Sequence, residues 1–216
     1  LKKITSNIIK PITCIIGGSK VSTKINIIKN LIPKFDNIII VGGMANNIIK
    51  YMGNNIGKSL HEKNTDSIIE EIFSLSKKEN CKIIYPKDVV VAKNFDGSPK
   101  NKKVNEVTSE EMILDIGPKT IELINDTINN SKTILWNGPA GYFENPNFAN
   151  GTNKIAKKII ERNEAKEIYS VAGGGDTVAI LNSLHLINSF DFVSTAGGAF
   201  LEYLEGKELP GIKVLN

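Results

Sequence analysis

The chain has few aromatic residues, two cysteines, two histidines and no apolar run near the length of a membrane span. Aromatics make up 6% of its 216 residues, too few for the stacking platforms that single-stranded nucleic acid requires. Its lysines fall on solvated helix faces rather than in clusters between aromatics, so a net charge of +4 and a pI near 8.9 do not point to a nucleic-acid partner. Cys14 and Cys81 sit in apolar strand patterns without metal-ligand spacing, and read as small buried hydrophobes of a reducing compartment. His61 and His185 lack partners at metal or triad spacing, which leaves them structural roles. A Gly-x-Ser-x-Gly elbow is missing, which disfavours a covalent hydrolase. No stretch approaches the roughly 20 apolar residues of a membrane span. Residues 1–7 lack the apolar core and cleavage site of a signal peptide, so the expectation is a cytoplasmic protein with no membrane partner. Opening on Leu1, mid-pattern and without an initiating Met, predicts a fragment of a longer product.

What remains is an ordinary globular composition, 41% hydrophobic and 23% charged, with no internal repeat and no linker long enough to separate two domains. The abundance of Ile, Asn and Lys reads as compositional drift, and the Asn-x-Ser/Thr matches at Asn129 and Asn150 as chance. One domain over residues 1–216 is expected. Short β-branched runs recur at 12–16, 37–41, 82–85 with 88–91, 133–136, 168–172 and 191–194. Helical patterns lie between most of them, at 20–31, 44–51, 65–78, 118–130, 151–162 and 176–184. The clearest is 65–78, with Ile68, Ile69, Ile72, Phe73 and Leu75 on one stripe against Glu70, Glu71, Lys77 and Lys78. Strands buried on both faces and separated by helices predict a doubly wound, Rossmann-like α/β fold. It would have a parallel sheet of about six strands, helices on both faces, and ligand beyond the carboxyl ends of the strands. The polar stretch 93–109 is expected to be a surface excursion with a short hairpin at 103–107.

The chemistry concentrates in glycine. Gly173-Gly174-Gly175-Asp176-Thr177 joins an apolar run to a helical pattern, so its bare backbone places free N–H groups at the positive end of a helix dipole, where phosphate binds. An Asp at that mouth repels an anion unless a cation lies between them, which implies metal-bound phosphate; a helix N-cap is the competing role for Asp176. Three further glycine turns share the setting: Gly17-Gly18-Ser19-Lys20, Gly42-Gly43-Met44 and Gly197-Gly198-Ala199. Four on one chain suggest a nucleotide site. Lys20 and Lys24, one helical turn apart, would present two ammonium groups to a polyphosphate. In the strand-end segment 136–144, Asn137 can donate to a phosphate oxygen and Glu144 can accept from a ribose hydroxyl. Gly53-Asn54-Asn55-Ile56-Gly57-Lys58-Ser59 imitates a P-loop, but has three residues between its glycines where four are needed and follows a helix rather than a strand. A dinucleotide-dependent oxidoreductase is disfavoured, since no Gly-x-Gly-x-x-Gly opens the first helix.

In order along the chain, Gly17-Gly18-Ser19-Lys20-Val21, Gly42-Gly43-Met44-Ala45, Gly57-Lys58-Ser59-Leu60, Leu114-Asp115-Ile116-Gly117-Pro118-Lys119-Thr120, the 136–144 segment, Gly173 to Thr177, Ser194-Thr195-Ala196-Gly197-Gly198-Ala199 and the 204–211 close resemble the carboxyl-terminal, nucleotide-binding half of phosphoglycerate kinase. The resemblance covers essentially the whole chain. It implies reversible phosphoryl transfer between Mg-ATP and 3-phosphoglycerate in glycolysis, by a cytoplasmic monomer with Mg²⁺ and ATP/ADP as cofactor and ligand. It further implies that Lys20 accompanies the moving phosphoryl group, that Gly174 and Gly175 donate N–H groups to it, and that Asp176 holds the metal. Lys24 and Thr177 would hold phosphates. Gly42, Gly43, Leu60, Phe95 and Leu114 would border adenine and Glu144 the ribose, with Gly18, Ser19, Asn137, Pro139 and Gly173 completing the nucleotide site. The sequence departs from the family's pattern at four positions. Val41 and Ala196 stand where glycines are usual, Thr23 where an Asp near the metal is usual, and Ile113 where a glycine lines the adenine site. The amino-terminal half that binds phosphoglycerate is not in this sequence, so the chain alone is expected to bind nucleotide with little or no turnover. An ATP-binding module without catalysis of its own is the alternative.

Overall fold

The computed structural model describes residues 9–209. Of the family-like close at 204–211, Pro210 and Gly211 therefore lie outside the described residues. Six strands form one all-parallel sheet: β1 (Ile12–Ile16), β2 (Asn37–Ile40), β3 (Lys82–Ile84), β7 (Thr133–Asn137), β8 (Tyr169–Gly173) and β9 (Phe192–Ser194). Their spatial order is β3-β2-β1-β7-β8-β9. The chain thus steps outward from β1 to β3, returns to the other side of β1 with β7, and steps outward again. Between β1 and β7 the direction of winding reverses, and ligands of open α/β sheets bind outside the carboxyl ends of the strands at such a point.

The central strands are apolar on both faces, and their alternation divides two cores. Cys14, Ile16, Ile38, Ile40 and Leu135 face one way. There they meet α1 (Ile25–Leu31), α2 (Gly43–Tyr51), α3 (Asp66–Lys78) and α7 (Gly197–Leu204) through Ile28, Met44, Ile72 and Phe200. Ile15, Ile39, Ile134 and Trp136 face the other way. They meet α4 (Pro118–Asn129), α5 (Asn150–Glu164) and α6 (Gly175–Ser183) through Ile124, Ile159 and Leu181. A period of two along strands that are buried on both sides places helices on both faces, so the expected doubly wound sheet of about six strands is the observed one.

Three sequence expectations are corrected. The run at 88–91 does not join the main sheet: β4 (Asp88–Ala92) lies between β5 (Lys100–Lys103) and β6 (Met112–Ile116) in a separate antiparallel sheet. This small sheet has its own apolar faces, one with Val89 and Val91 against Ile49, Ile56 and Val107, the other with Val90, Ala92 and Leu114 against Phe148. The hairpin expected at 103–107 instead pairs β4 with β5, and residues 104–106 turn as a short 3-10 segment. The helix expected from residue 20 begins only at Ile25, because 22–24 form a turn.

The small sheet is tied to α4, a helix of the main sheet's layer, through Asp88, which is 6% exposed. Its carboxyl oxygens accept the backbone N–H groups of Lys119 (2.9 Å) and Thr120 (2.7 Å) and the Thr120 hydroxyl (2.7 Å). A strand residue thereby satisfies the start of α4, whose own N-cap position is Gly117 and provides no side chain. Replacing Asp88 by Ala should therefore leave buried donors unpaired and lower the free energy of unfolding by about 2–3 kcal/mol. Urea denaturation followed by circular dichroism checks this, and a loss under 0.5 kcal/mol would show that water replaces the carboxyl group.

Candidate functional site

At the reversal point, the turn leaving β1 meets the turn leaving β7. Gly17 donates its N–H to the Asn137 carbonyl at 2.9 Å, and a Cβ on Gly17 would run into the carbonyl oxygen of Pro139. The cleft above these turns has two connected parts that share Gly18, Ser19 and Asp176.

The larger part, about 290 Å³, is mostly apolar. Gly42, Gly43, Leu60, Phe95, Leu114, Pro139 and Glu144 all line it, with Leu60 lying against Gly43. Leu60 and Phe95 are 59% and 50% exposed, so both present apolar surface to the cleft. Phe95 packs edge-on to Tyr142, with ring centroids 5.0 Å apart. The Leu60 segment is held by Asn46, whose Nδ2 donates to the Leu60 carbonyl at 2.9 Å. Ile113 does border this part, but it also packs against the Ile49, Ile56 and Val89 cluster.

The smaller part, about 240 Å³, is lined by Lys24, Asn137, Gly174, Gly175 and Thr177, besides the shared residues. Here β8 ends at Gly173 and α6 starts at Gly175. Gly174 between them has φ of +95°, a left-handed value that suits glycine, and α6 has no side-chain cap. Its first N–H groups are thus left for a ligand. Asn137 is 1% exposed and already engaged: Nδ2 donates to the Gly173 carbonyl at 2.8 Å, and Oδ1 accepts from the Lys24 ammonium. Burial lowers the Lys24 pKa, opposed by its charge interactions with Cys14 and Asp176. Thr177 is fully buried, and its hydroxyl accepts the Gly138 N–H at 2.6 Å.

Fifteen of the seventeen residues singled out from the sequence line one part of the cleft or both; Lys20 and Gly173 do not. Lys20 is exposed, next to Ser19, and shares no helix face with Lys24 because α1 has not begun there. Gly173 is buried, where a Cβ would strike the Phe200 ring. Of the four glycine turns, Gly197-Gly198-Ala199 stays outside the lining, and its helix contributes Leu201 instead. Ala196 at the start of that helix has φ of −88°, which any residue adopts, and Val41 is a fully buried core residue. The false P-loop follows α2, and its Ser59 hydroxyl accepts the Ile113 N–H at 2.7 Å while Lys58 pairs with Glu110 at 2.6 Å. His61 sits 3.2 Å from the Lys50 ammonium and 3.1 Å from the Ser59 carbonyl. Burial pushes both cysteine thiols up to about 12, so they are protonated and unreactive at neutral pH. Among the described residues, no cluster of three or more His, Cys, Asp or Glu side chains could hold a metal.

Sequence reasoning missed Asn46, Tyr142, Leu201 and the role of Asp115. The last is 2% exposed and lines the larger part. Its oxygens accept the N–H groups of Ile116 (2.8 Å) and Gly151 (2.7 Å), fastening β6 to the start of α5. Burial nonetheless pushes its carboxyl up to about 7. In the unfolded chain this group titrates near ~4. Between those values the unfolded chain has lost a proton that the folded chain still holds, so folding becomes less favourable as pH rises from about 4 to about 7. Urea midpoints of the native chain and of Asp115→Asn should accordingly move apart over that window, the native one falling relative to the variant, and run level above it. A difference that does not vary with pH would contradict the assignment.

A family model described as "Phosphoglycerate kinase" matches residues 1–207. Phosphoglycerate kinase of Zymomonas mobilis is 47% identical over 208 residues, covering 95% of this chain and 52% of that protein. The enzyme of Methylorubrum populi is 46% identical over 209 residues, with 96% and 52% covered. The solved structure of phosphoglycerate kinase from Coxiella burnetii superposes with a TM-score of 0.94 at 41% identity, over 99% of this chain and 55% of that one. That from Pyrococcus horikoshii OT3, at 24% identity and a TM-score of 0.79, has the same fold. The chain spans about half the length of the curated relatives it matches. With a family model matched over residues 1–207, relatives 46–47% identical and a shared fold, the chain belongs to the phosphoglycerate kinase family.

Proposed function

We propose that residues 1–216 are the nucleotide-binding unit of a phosphoglycerate kinase. Joined to a phosphoglycerate-binding half, it exchanges a phosphoryl group between Mg-ATP and the carboxylate of 3-phosphoglycerate, as a cytoplasmic monomer in glycolysis. The observation that carries this reading is the two-part cleft at the reversal of the sheet: an apolar slot opening into a chamber of lysine, aspartate and uncapped helix start. A flat base fits in the slot lined by Gly42, Gly43, Leu60, Phe95 and Leu114, with Glu144 placed to accept from a ribose hydroxyl. The phosphates then extend past Gly18 and Ser19 toward Lys24, Thr177 and the N–H groups of Gly174 and Gly175. Phosphoryl transfer asks a protein mainly to position its reactants and stabilise charge, and one such donor contributes roughly 3 kcal/mol in the transition state.

The donor set also fits magnesium. Mg²⁺ takes one or two carboxylates and fills its shell with phosphate oxygens and water, and Asp176 is the carboxylate common to both parts of the cleft. Bound there with nucleotide, the ion would neutralise charge on the phosphates. Lys20, exposed beside Ser19, is free to follow the moving phosphoryl group, while Lys24 is braced on Asn137. Thr23, at the edge of the chamber where the family usually has an acid, favours the second reading, an ATP-binding module without catalysis.

Calorimetry should show Mg-ADP binding by this chain, weakened by Asp176→Asn far more in the presence of Mg²⁺ than in its absence. A coupled assay of the chain alone should show little or no turnover of 3-phosphoglycerate; full turnover would refute the half-enzyme reading. In a two-half enzyme carrying this chain, Lys20→Ala should lower kcat by about a hundredfold or more with a far smaller change in nucleotide affinity. Equal losses would make Lys20 a binding residue only.

A further inference from the structure

Glu62 lies between α2 and α3 and lines neither part of the cleft. Its carboxylate accepts both donors of Ser22, the backbone N–H at 3.0 Å and the hydroxyl. Ser22 stands midway between Lys20 and Lys24, in the turn that precedes α1. The other end of this tie is fixed. The Glu62 N–H donates to Asn47 Oδ1 at 3.2 Å, and Asn47 Nδ2 donates to the Glu62 carbonyl at 2.7 Å and to the Thr65 hydroxyl at 2.8 Å. Asn47 is on α2, 2% exposed and fully partnered. A buried carboxamide thus anchors Glu62 to the core, and Glu62 in turn holds an exposed turn. The two hydrogen bonds from Ser22, side chain first and backbone second, keep the Glu62 carboxyl below the usual range, so it is ionised at neutral pH. Within the turn, the Thr23 hydroxyl donates to the Lys20 carbonyl at 2.9 Å and the Lys24 N–H to the Val21 carbonyl at 3.0 Å. Holding Ser22 therefore sets the path of the backbone that carries both lysines.

We propose that Glu62 is a positioning residue which, acting through Ser22, fixes the 20–24 turn so that Lys20 and Lys24 are presented to the phosphates of a bound nucleotide. This rests on reading the cleft as a nucleotide site. Charge and position make opposite forecasts here. Glu62 is an anion near Lys20, so by Coulomb's law alone its removal leaves the site more positive and tightens a polyphosphate. Loss of the tether loosens the turn and weakens it.

Mg-ADP titrations of this chain separate the two. Glu62→Gln and Glu62→Ala should each weaken binding, by roughly tenfold for Ala, with thermal unfolding close to that of the native chain. Amide exchange should accelerate in residues 20–24 and not in α2. In a background with both Lys20→Ala and Lys24→Ala the Glu62→Ala change should add little, since its effect passes through the two lysines. Unchanged or tighter binding in Glu62→Ala, or a full additional loss in that doubly substituted background, would overturn the proposal. Absence of Mg-ADP binding by the native chain would instead refute the nucleotide reading itself.

Discussion

The contact between the backbone of Gly17 and that of Gly138 and Pro139 sets the geometry on which the rest of the site depends. At the reversal of the sheet, adjacent strands send their chains to opposite sides, and a gap opens above their ends. How wide that gap becomes is decided by how closely the two turns meet. Here no side chain intervenes: the Gly17 N–H reaches the Asn137 carbonyl, and there is no room for a Cβ. The floor of the cleft is therefore main chain, rigid because it continues directly into β1 and β7.

Above that floor, the polar side chains divide into those already committed and those left open. Asn137 joins the end of β7 to the end of β8 and braces Lys24, while the Thr177 hydroxyl receives the Gly138 N–H. Both are buried with protein partners, which makes them framework as much as contacts for a ligand. The uncapped start of α6, Asp176, Lys20 and the exposed rings and chains of Phe95 and Leu60 are what the site leaves unengaged. Buried polar groups that satisfy one another hold a geometry, and that geometry leaves the α6 start open in the smaller part and Phe95 and Leu60 in the larger, with Asp176 common to both and Lys20 exposed beside them.

Much of this was legible in the chain. Short, largely β-branched runs marked the strands of the main sheet, most clearly β1 and β2, whose burial along nearly their whole length leaves little to blur the pattern. The small sheet escaped notice because β5 reads Lys-Asn-Lys-Lys and has no apolar alternation, and the apolar run of β4 looks like another core strand. The start of α1 was misplaced since Lys20 to Lys24 fits a helical spacing, yet Ser22 is drawn aside to Glu62, forty positions away. Residues of the smaller part of the cleft could be read locally, as glycine turns at strand ends. Those of the larger part could not: Leu60, Phe95 and Leu114 come from three separate segments, and only the family resemblance assigned them together. Asn46 and Leu201 had no local signal, each being one residue of an ordinary amphipathic helix.

The small antiparallel sheet means that the cleft is lined from two scaffolds. Phe95 and Leu114 belong to that sheet and the loop leaving it, whereas Lys24, Asn137, Gly174 and Thr177 all hang from the main one. The two scaffolds are coupled, because Ile49 of α2 packs under Val89 and Val91 and Asp88 holds the start of α4. A change in how the small sheet seats on α2 would therefore alter the width of the apolar slot while leaving the turns that end β1, β7 and β8 in place.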